Sequence, residues 1–223
     1  MFARQPEAGN ANISGEFNVE SPPQVGEDVK LILRLRNHTS EIKSLTANVM
    51  ASTIIYTGNR VRKVWNSSLP VILGPKEEKA FPLKISYAEY RDHLTSDNMI
   101  QATALCQVED GSQALVERVI VLDNPPVLMK VLGQAKVGEE VKVEVMFTNP
   151  LEEELKDCVL RAEGSGLMVD VCKIKMPSVK AKKSSCVHLP ITPSKSGTKH
   201  LVVNFSCDKF QHINAFETII VDE

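Results

Sequence analysis

The sequence predicts an all-β protein made of two copies of one small domain, and three observations carry that prediction. Val25-Gly26-Glu27-Asp28-Val29-Lys30 returns about 112 residues later as Val137-Gly138-Glu139-Glu140-Val141-Lys142. That period is far longer than the ~20–50 residues of a solenoid repeat and matches a whole domain. Each copy then alternates: Val29, Leu31, Leu33 and Leu35 against Lys30, Arg34 and Arg36, and later Val141, Val143, Val145 and Phe147 against Lys142, Glu144 and Thr148. A period of two gives a strand with one face in a core and one in water. The copies also end alike, Glu117-Arg118-Val119-Ile120-Val121-Leu122-Asp123 against Glu217-Thr218-Ile219-Ile220-Val221-Asp222.

Along the chain, residues 1–12 read as a tail or linker remnant. Residues 15–19 suit a first edge strand, Ser21-Pro22-Pro23 a turn, and 29–36 the first strong strand, which stops at Asn37. Residues 47–56 follow as a strand, with Thr57-Gly58-Asn59 as the turn into 61–65; 69–73 is a separate strand ending at Gly74-Pro75, and 81–85 resumes the sheet. Ser86-Tyr87-Ala88-Glu89 has the spacing of a capping box, predicting a turn or two of helix as far as Leu94. Strands at 100–108 and 116–122 flank the turn Glu109-Asp110-Gly111-Ser112.

Asp123-Asn124-Pro125-Pro126 marks the boundary, because two prolines cannot continue a central strand. The second copy has candidate strands at 127–132, 141–147, 155–162, 168–174, 184–189, 200–206 and 216–221, broken by Gly164-Ser165-Gly166, Met176-Pro177 and Pro193-Ser194-Lys195-Ser196-Gly197. Residues 13–124 and 125–223 thus form two tandem domains of about seven strands each, the pattern of an immunoglobulin-like sandwich or a related barrel.

Composition sets bounds on function. With 223 residues, a net charge of −2 and 43% hydrophobic content, the chain can fill two cores, and nothing in its balance favours nucleic acid or an anionic membrane. Residues 1–17 are polar and broken by Pro6 and Gly9, unlike a signal peptide, and no later apolar run approaches the ~18 residues of a membrane span. A cytoplasmic location is expected. Cys106, Cys158, Cys172, Cys186 and Cys207 are odd in number and form no C-x-x-C pair, which suits reduced thiols. Glycosylation triplets at Asn12, Asn37, Asn66 and Asn204 matter only in a secretory pathway, and the last falls in a predicted strand; they are read as chance.

Catalytic motifs are absent: no phosphate loop, nucleotide-binding glycine fingerprint, G-x-S-x-G elbow or H-E-x-x-H. Cys186 and His188, two apart on one strand, share a face, but their Cα atoms would sit at about 6.5–7 Å, and a core thiol beside a partly buried histidine is the simpler reading. His38, His93, His200 and His212 fall in loops or strand ends without a second ligand at metal spacing, so no metal site is expected. Lys173, Lys175, Lys180, Lys182 and Lys183 surround a predicted hairpin; without interleaved aromatics they read as a solvated guard on an exposed edge rather than a nucleic-acid patch.

Several segments, taken together, resemble the C-terminal half of animal transglutaminases: Ile54-Ile55-Tyr56-Thr57-Gly58; Ile85-Ser86-Tyr87-Ala88-Glu89-Tyr90-Arg91-Asp92; the joint from Glu117-Arg118 to Asn124-Pro125; Asn149-Pro150-Leu151 with Cys158; Glu163-Gly164-Ser165-Gly166-Leu167; and Leu201-Val202-Val203-Asn204-Phe205. The likeness runs from about Ile13 to Val221. It implies two C-terminal β-barrels, without the papain-like core that carries the family's Cys-His-Asp triad and calcium sites. None of the five cysteines lies in the family's Gly-Gln-Cys-Trp context, and the sole tryptophan, Trp65, is not beside one. The resemblance therefore implies no catalytic residue and no cofactor in this chain, calcium belonging to the parent's core.

In that family the barrels fold over the core, and a tyrosine of the first barrel hydrogen-bonds the catalytic cysteine; the matching position is Tyr56. In members inhibited by guanine nucleotides an arginine matching Arg118 contacts the phosphates and a tyrosine three positions on completes the pocket, but Val121 stands there. Valine offers no hydrogen bond, and the rest of that pocket belongs to the core, so the grounds for nucleotide binding are weak. The expectation is a regulatory lid whose partner is the catalytic core in cis. The alternative is a stand-alone adaptor of two immunoglobulin-like domains that binds a peptide by strand addition; a secreted adhesion module is a third reading.

Overall fold

A computed structural model describes residues 12–223. Of the tail expected at 1–12, residues 1–11 lie outside that range, while the Asn12 carbonyl accepts the His38 N–H at 2.8 Å. The fold is all-β, as two compact units that divide between Asp123 and Asn124.

The first unit comprises β1 (Ile13–Val19), β2 (Val29–Asn37), β3 (Lys43–Ile54), β4 (Arg60–Leu73), β5 (Glu78–Ile85), α1 (Tyr87–Tyr90), β6 (Met99–Val108) and β7 (Gln113–Val121). Its antiparallel sheets have the orders β1-β2-β5 and β4-β3-β6-β7. The alternation of β2 is realised: Val29, Leu31, Leu33 and Leu35 are buried while Lys30 and Arg36 are exposed. β3 and β6 bury Ala47, Val49, Ala51, Ala102, Ala104 and Cys106 in the same way. The two sheets meet where β1 approaches β7, and a Cβ at Gly15 would fall 2.7 Å from both Leu35 Cδ2 and Val116 Cγ2. That spacing leaves no room for a side chain.

Two local expectations need correction. Residues 61–65 and 69–73 are one strand, because Asn66, Ser67 and Ser68 pair in register with Met50, Val49 and Asn48. β4 is a sheet edge, where polar residues and Pro70 are tolerated. The helix predicted to reach Leu94 stops at Tyr90 and continues as turns. Its capping partners are present, with the Ser86 N–H and hydroxyl both donating to Glu89 Oε2 at 2.7 Å. What holds this short element is Tyr90: fully buried, its hydroxyl donates to the Glu27 carbonyl at 2.7 Å and accepts the Gly26 N–H at 3.2 Å.

The second unit comprises β8 (Val127–Val131), β9 (Ala135–Lys136), β10 (Val141–Thr148), β11 (Val159–Glu163), β12 (Cys172–Lys175), β13 (Ser184–Ile191), β14 (Gly197–Ser206) and β15 (Ile213–Asp222). The sheets are β13-β10-β8 and β12-β11-β14-β15-β9. Phe147 stacks on Phe205 with ring centroids 4.2 Å apart, and Phe210 meets Phe147 edge-on at 6.1 Å. The two-residue β9, parallel to β15, is too short to leave a periodic trace and was not expected. The strands foreseen at 155–162 and 168–174 shorten to β11 and β12, with Leu155 instead bridging Val179. No hairpin joins the lysines. β12 pairs with β11 while β13 pairs with β10, so residues 176–183 cross between sheets.

The asparagines that end the repeated strands are both fully buried. Asn37 Nδ2 donates to the carbonyls of Glu41 (2.7 Å), Leu73 (3.3 Å) and Gly74 (2.8 Å), and its Oδ1 accepts the Thr39 N–H and hydroxyl. Asn149 Nδ2 donates to Glu153 (2.8 Å), Val179 (3.0 Å) and Lys180 (3.2 Å), and its Oδ1 accepts the Leu151 N–H. The duplicated asparagine is thus a loop clamp, which also makes Asn37 inaccessible to glycosylation in the folded unit.

Candidate functional site

The hairpin between β3 and β4 carries Tyr56. The Ile55 carbonyl accepts the Gly58 N–H at 2.8 Å, and the Ile55 N–H donates to the Asn59 carbonyl at 3.2 Å. This is a three-residue loop whose last member, Gly58, adopts φ +83°, a left-handed conformation that glycine takes without a Cβ penalty. Tyr56 therefore lies inside the turn rather than at the end of the strand, where sequence reasoning put it. Its side chain is 79% exposed.

The backbone beneath that side chain is held on both legs. The Tyr56 N–H donates to Asp97 Oδ2 at 2.9 Å, and the Thr95 hydroxyl donates to the Ile54 carbonyl at 3.0 Å. On the exit leg the Arg60 guanidinium donates to Gln101 Oε1 (3.1 Å) and Thr103 Oγ1 (3.3 Å) and approaches Glu117 at 3.5 Å. An exposed phenol on a pinned turn can enter a cleft with little of its own backbone left to order. Asp97 and Arg60 are missed by sequence reasoning, since neither belongs to a local motif.

Arg118 occupies a different setting. It pairs with Ala102 across β6 and β7 and lies on the same side of β7 as buried Val116 and Ile120, yet is itself exposed, and its Nη1 donates to the Phe17 carbonyl at 2.7 Å. The guanidinium thereby ties β7 to β1. Val121 is 52% exposed on the opposite face of β7.

In the second unit, Cys186 and His188 do share the outer face of β13, and β10 adds Glu144, which lies directly across from His188. His188 Nε2 and Glu144 Oε2 are 3.6 Å apart, and the ligand atoms of Glu144, Cys186 and His188 all lie within 4.8 Å of one another. Both Cys186 and His188 are exposed, not the core thiol and partly buried histidine expected from sequence, because they face outward on β13. Local desolvation and the neighbouring Glu144 carboxylate push the Cys186 thiol up, the opposite of what an activated nucleophile requires. Burial likewise pushes the Cys106 and Cys158 thiols up to about 11. The five cysteines are all free. Lys173 and Lys175 stand exposed on β12, a sheet edge. Among the described residues, no helix is long and apolar enough to cross a membrane.

Comparison with known proteins places these geometries in context. The family described as "Transglutaminase family, C-terminal ig like domain" matches residues 13–118 and again 125–223. Protein-glutamine gamma-glutamyltransferase E of Bos taurus is 47% identical over 212 residues, covering 95% of this chain and 31% of that protein. Protein-glutamine gamma-glutamyltransferase 6 of Homo sapiens is 41% identical over 214 residues, covering 96% and 30%. The crystal structure of red sea bream transglutaminase superposes with a TM-score of 0.86 at 22% identity, covering 96% of this chain and 32% of that one, a likeness of fold. The chain therefore spans about a third of the length of the curated relatives it matches.

Proposed function

This chain belongs to the transglutaminase family, as two of its C-terminal ig-like domains, and on that premise we propose that it is the regulatory, non-catalytic end of a calcium-dependent protein-glutamine γ-glutamyltransferase. The parent would crosslink glutamine and lysine side chains in the cytoplasm, with its catalytic residues and calcium in a core that precedes these domains. The first unit acts as a lid over that core's cleft through the Tyr56 hairpin, and the segment 123–126 carries part of the movement when calcium or substrate favours the open state.

The observation that carries the lid reading is the Tyr56 turn: a phenol 79% exposed on a backbone bonded to Asp97. A tyrosine so placed is an apolar body with a hydrogen-bonding tip, suited to occupying a narrow polar cleft. Guanine nucleotide forms no part of the proposal, since Arg118 is engaged by Phe17 and Val121 lies on the other face of β7. The adaptor alternative requires an open sheet edge; β12 offers four residues with Lys173 and Lys175 outward, and β4 carries Arg60, Arg62, Lys63 and Pro70, features that discourage strand addition.

The test adds this chain in trans to a transglutaminase core lacking its own C-terminal domains and follows amine incorporation into a glutamine peptide at limiting calcium. The wild-type chain suppresses the rate in a saturable way, and Tyr56→Ala raises the concentration needed by about tenfold, the loss of one good hydrogen-bonded contact. Equal potency of the two forms, or no suppression by either, would sink the lid reading.

A further inference from the structure

We propose that Glu144, Cys186 and His188 form a binding site for a zinc-like divalent cation on the outer face of the second unit, clamping edge strand β13 to β10. The three residues offer one carboxylate, one thiolate and one imidazole, a donor set that suits zinc. They come from paired strands: Glu144 is opposite His188, and Cys186 is the next outward residue along β13, diagonal to Glu144.

Distances fit one ion. A tetrahedral zinc with bonds near 2.0–2.3 Å separates its ligand atoms by roughly 3.3–3.8 Å. Glu144 Oε2 and His188 Nε2 already stand 3.6 Å apart, and the thiol sulfur lies within 4.8 Å of a Glu144 carboxylate oxygen and a His188 ring nitrogen, a gap that side-chain rotation closes without moving either strand. Glu144 is half-buried, while Cys186 and His188 are exposed, so an ion can enter from solvent and keep a fourth position for water or an exogenous ligand. Across the sheet, Lys130 of β8 is in register with Glu144 and the Met146 thioether with Cys186. The lysine supplies the charge against which the ion competes.

The bonding step balances simply. The ion displaces the Cys186 thiol proton to solvent and leaves a zinc–thiolate bond, with no oxidant or reductant involved. A bound ion also staples β13, an edge strand hydrogen-bonded on one side only, and so stabilises the unit by mass action.

The test titrates the chelator-treated full chain with cobalt(II) and then displaces it with zinc. One cobalt per chain is expected, with a thiolate-to-cobalt charge-transfer absorption that zinc abolishes and a thermal unfolding temperature raised by zinc. Cys186→Ser removes the absorption and the thermal shift, and His188→Ala and Glu144→Gln each weaken zinc binding by about tenfold or more. Cys172→Ser, a half-buried thiol in the other sheet, leaves all readings unchanged. Absence of saturable binding, persistence of the absorption in Cys186→Ser, or its loss in Cys172→Ser would each overturn the assignment.

Discussion

Asn149 shows what one polar side chain does in an apolar interior. Its amide is fully buried yet donates to three loop carbonyls and accepts one N–H, and Asn37 does the equivalent work in the first unit. Alanine at 149 would leave the buried Leu151 N–H without its acceptor and take one bond each from the carbonyls of Val179 and Lys180, which keep the N–H groups of Leu155 and Lys183. Leaving a donor buried without a partner costs more than the net worth of the bond itself. Asn149→Ala is expected to lower stability by about 3 kcal/mol in urea unfolding, whereas Asn204→Ala, whose amide bonds Asn214 at a partly exposed position, serves as a mild control.

At the scale of elements, three carboxylates hold turns and cap positions. Asp110 accepts from the Lys43 ammonium at 2.9 Å and from the N–H and hydroxyl of Ser112, fixing the β6–β7 turn. Glu77 accepts the Gly74 N–H at 2.6 Å ahead of β5, and Asp28 accepts the Tyr87 N–H at 2.9 Å at the start of α1. The Lys43 hydrogen bond holds Asp110 well below its ordinary 3.8, the Gly74 N–H holds Glu77 below 4.5, and the Tyr87 N–H holds Asp28 below 3.8. Each is lower in the folded state, so between its folded and ordinary values the unfolded chain binds more protons and stability rises with pH. The contribution is complete above the ordinary values and is lost as pH falls through the lowered ones. The urea midpoint is therefore expected to fall below about pH 4, and Asp110→Asn to flatten part of that fall; a midpoint that ignores acid down to pH 3 would contradict this account.

Across the whole molecule, each unit fills its own interior, with Phe147, Phe205 and Phe210 at the centre of the second. A unit with a complete core of this size is able to fold alone. Residues 124–223 produced separately are expected to show a β-rich circular dichroism spectrum and one cooperative unfolding transition; a non-cooperative melt would show that the second core depends on the first.

Much of this was legible in the residues. The repeated Val-Gly-acidic turn, the alternation of β2 and β10 and the terminal asparagines identified the duplication and the buried faces. Where reading failed, the cause was specific. Asn66-Ser67-Ser68 has turn chemistry but sits on an edge strand that accepts polar residues, and the lysines around Met176-Pro177 flank a crossover between sheets rather than a hairpin. Tyr56 was located to within one residue, but its anchor, Asp97, lies 41 residues away. The sequence by itself determined which residues face inward and where the copies begin and end, because side-chain alternation and turn chemistry act over a few neighbouring residues. Only the tertiary structure decided which strands became neighbours and in what register: Glu144 against His188, and Arg118 against a carbonyl 101 residues away. Those pairings depend on long-range packing of two sheets, and a slip of one residue would turn every side chain to the other face.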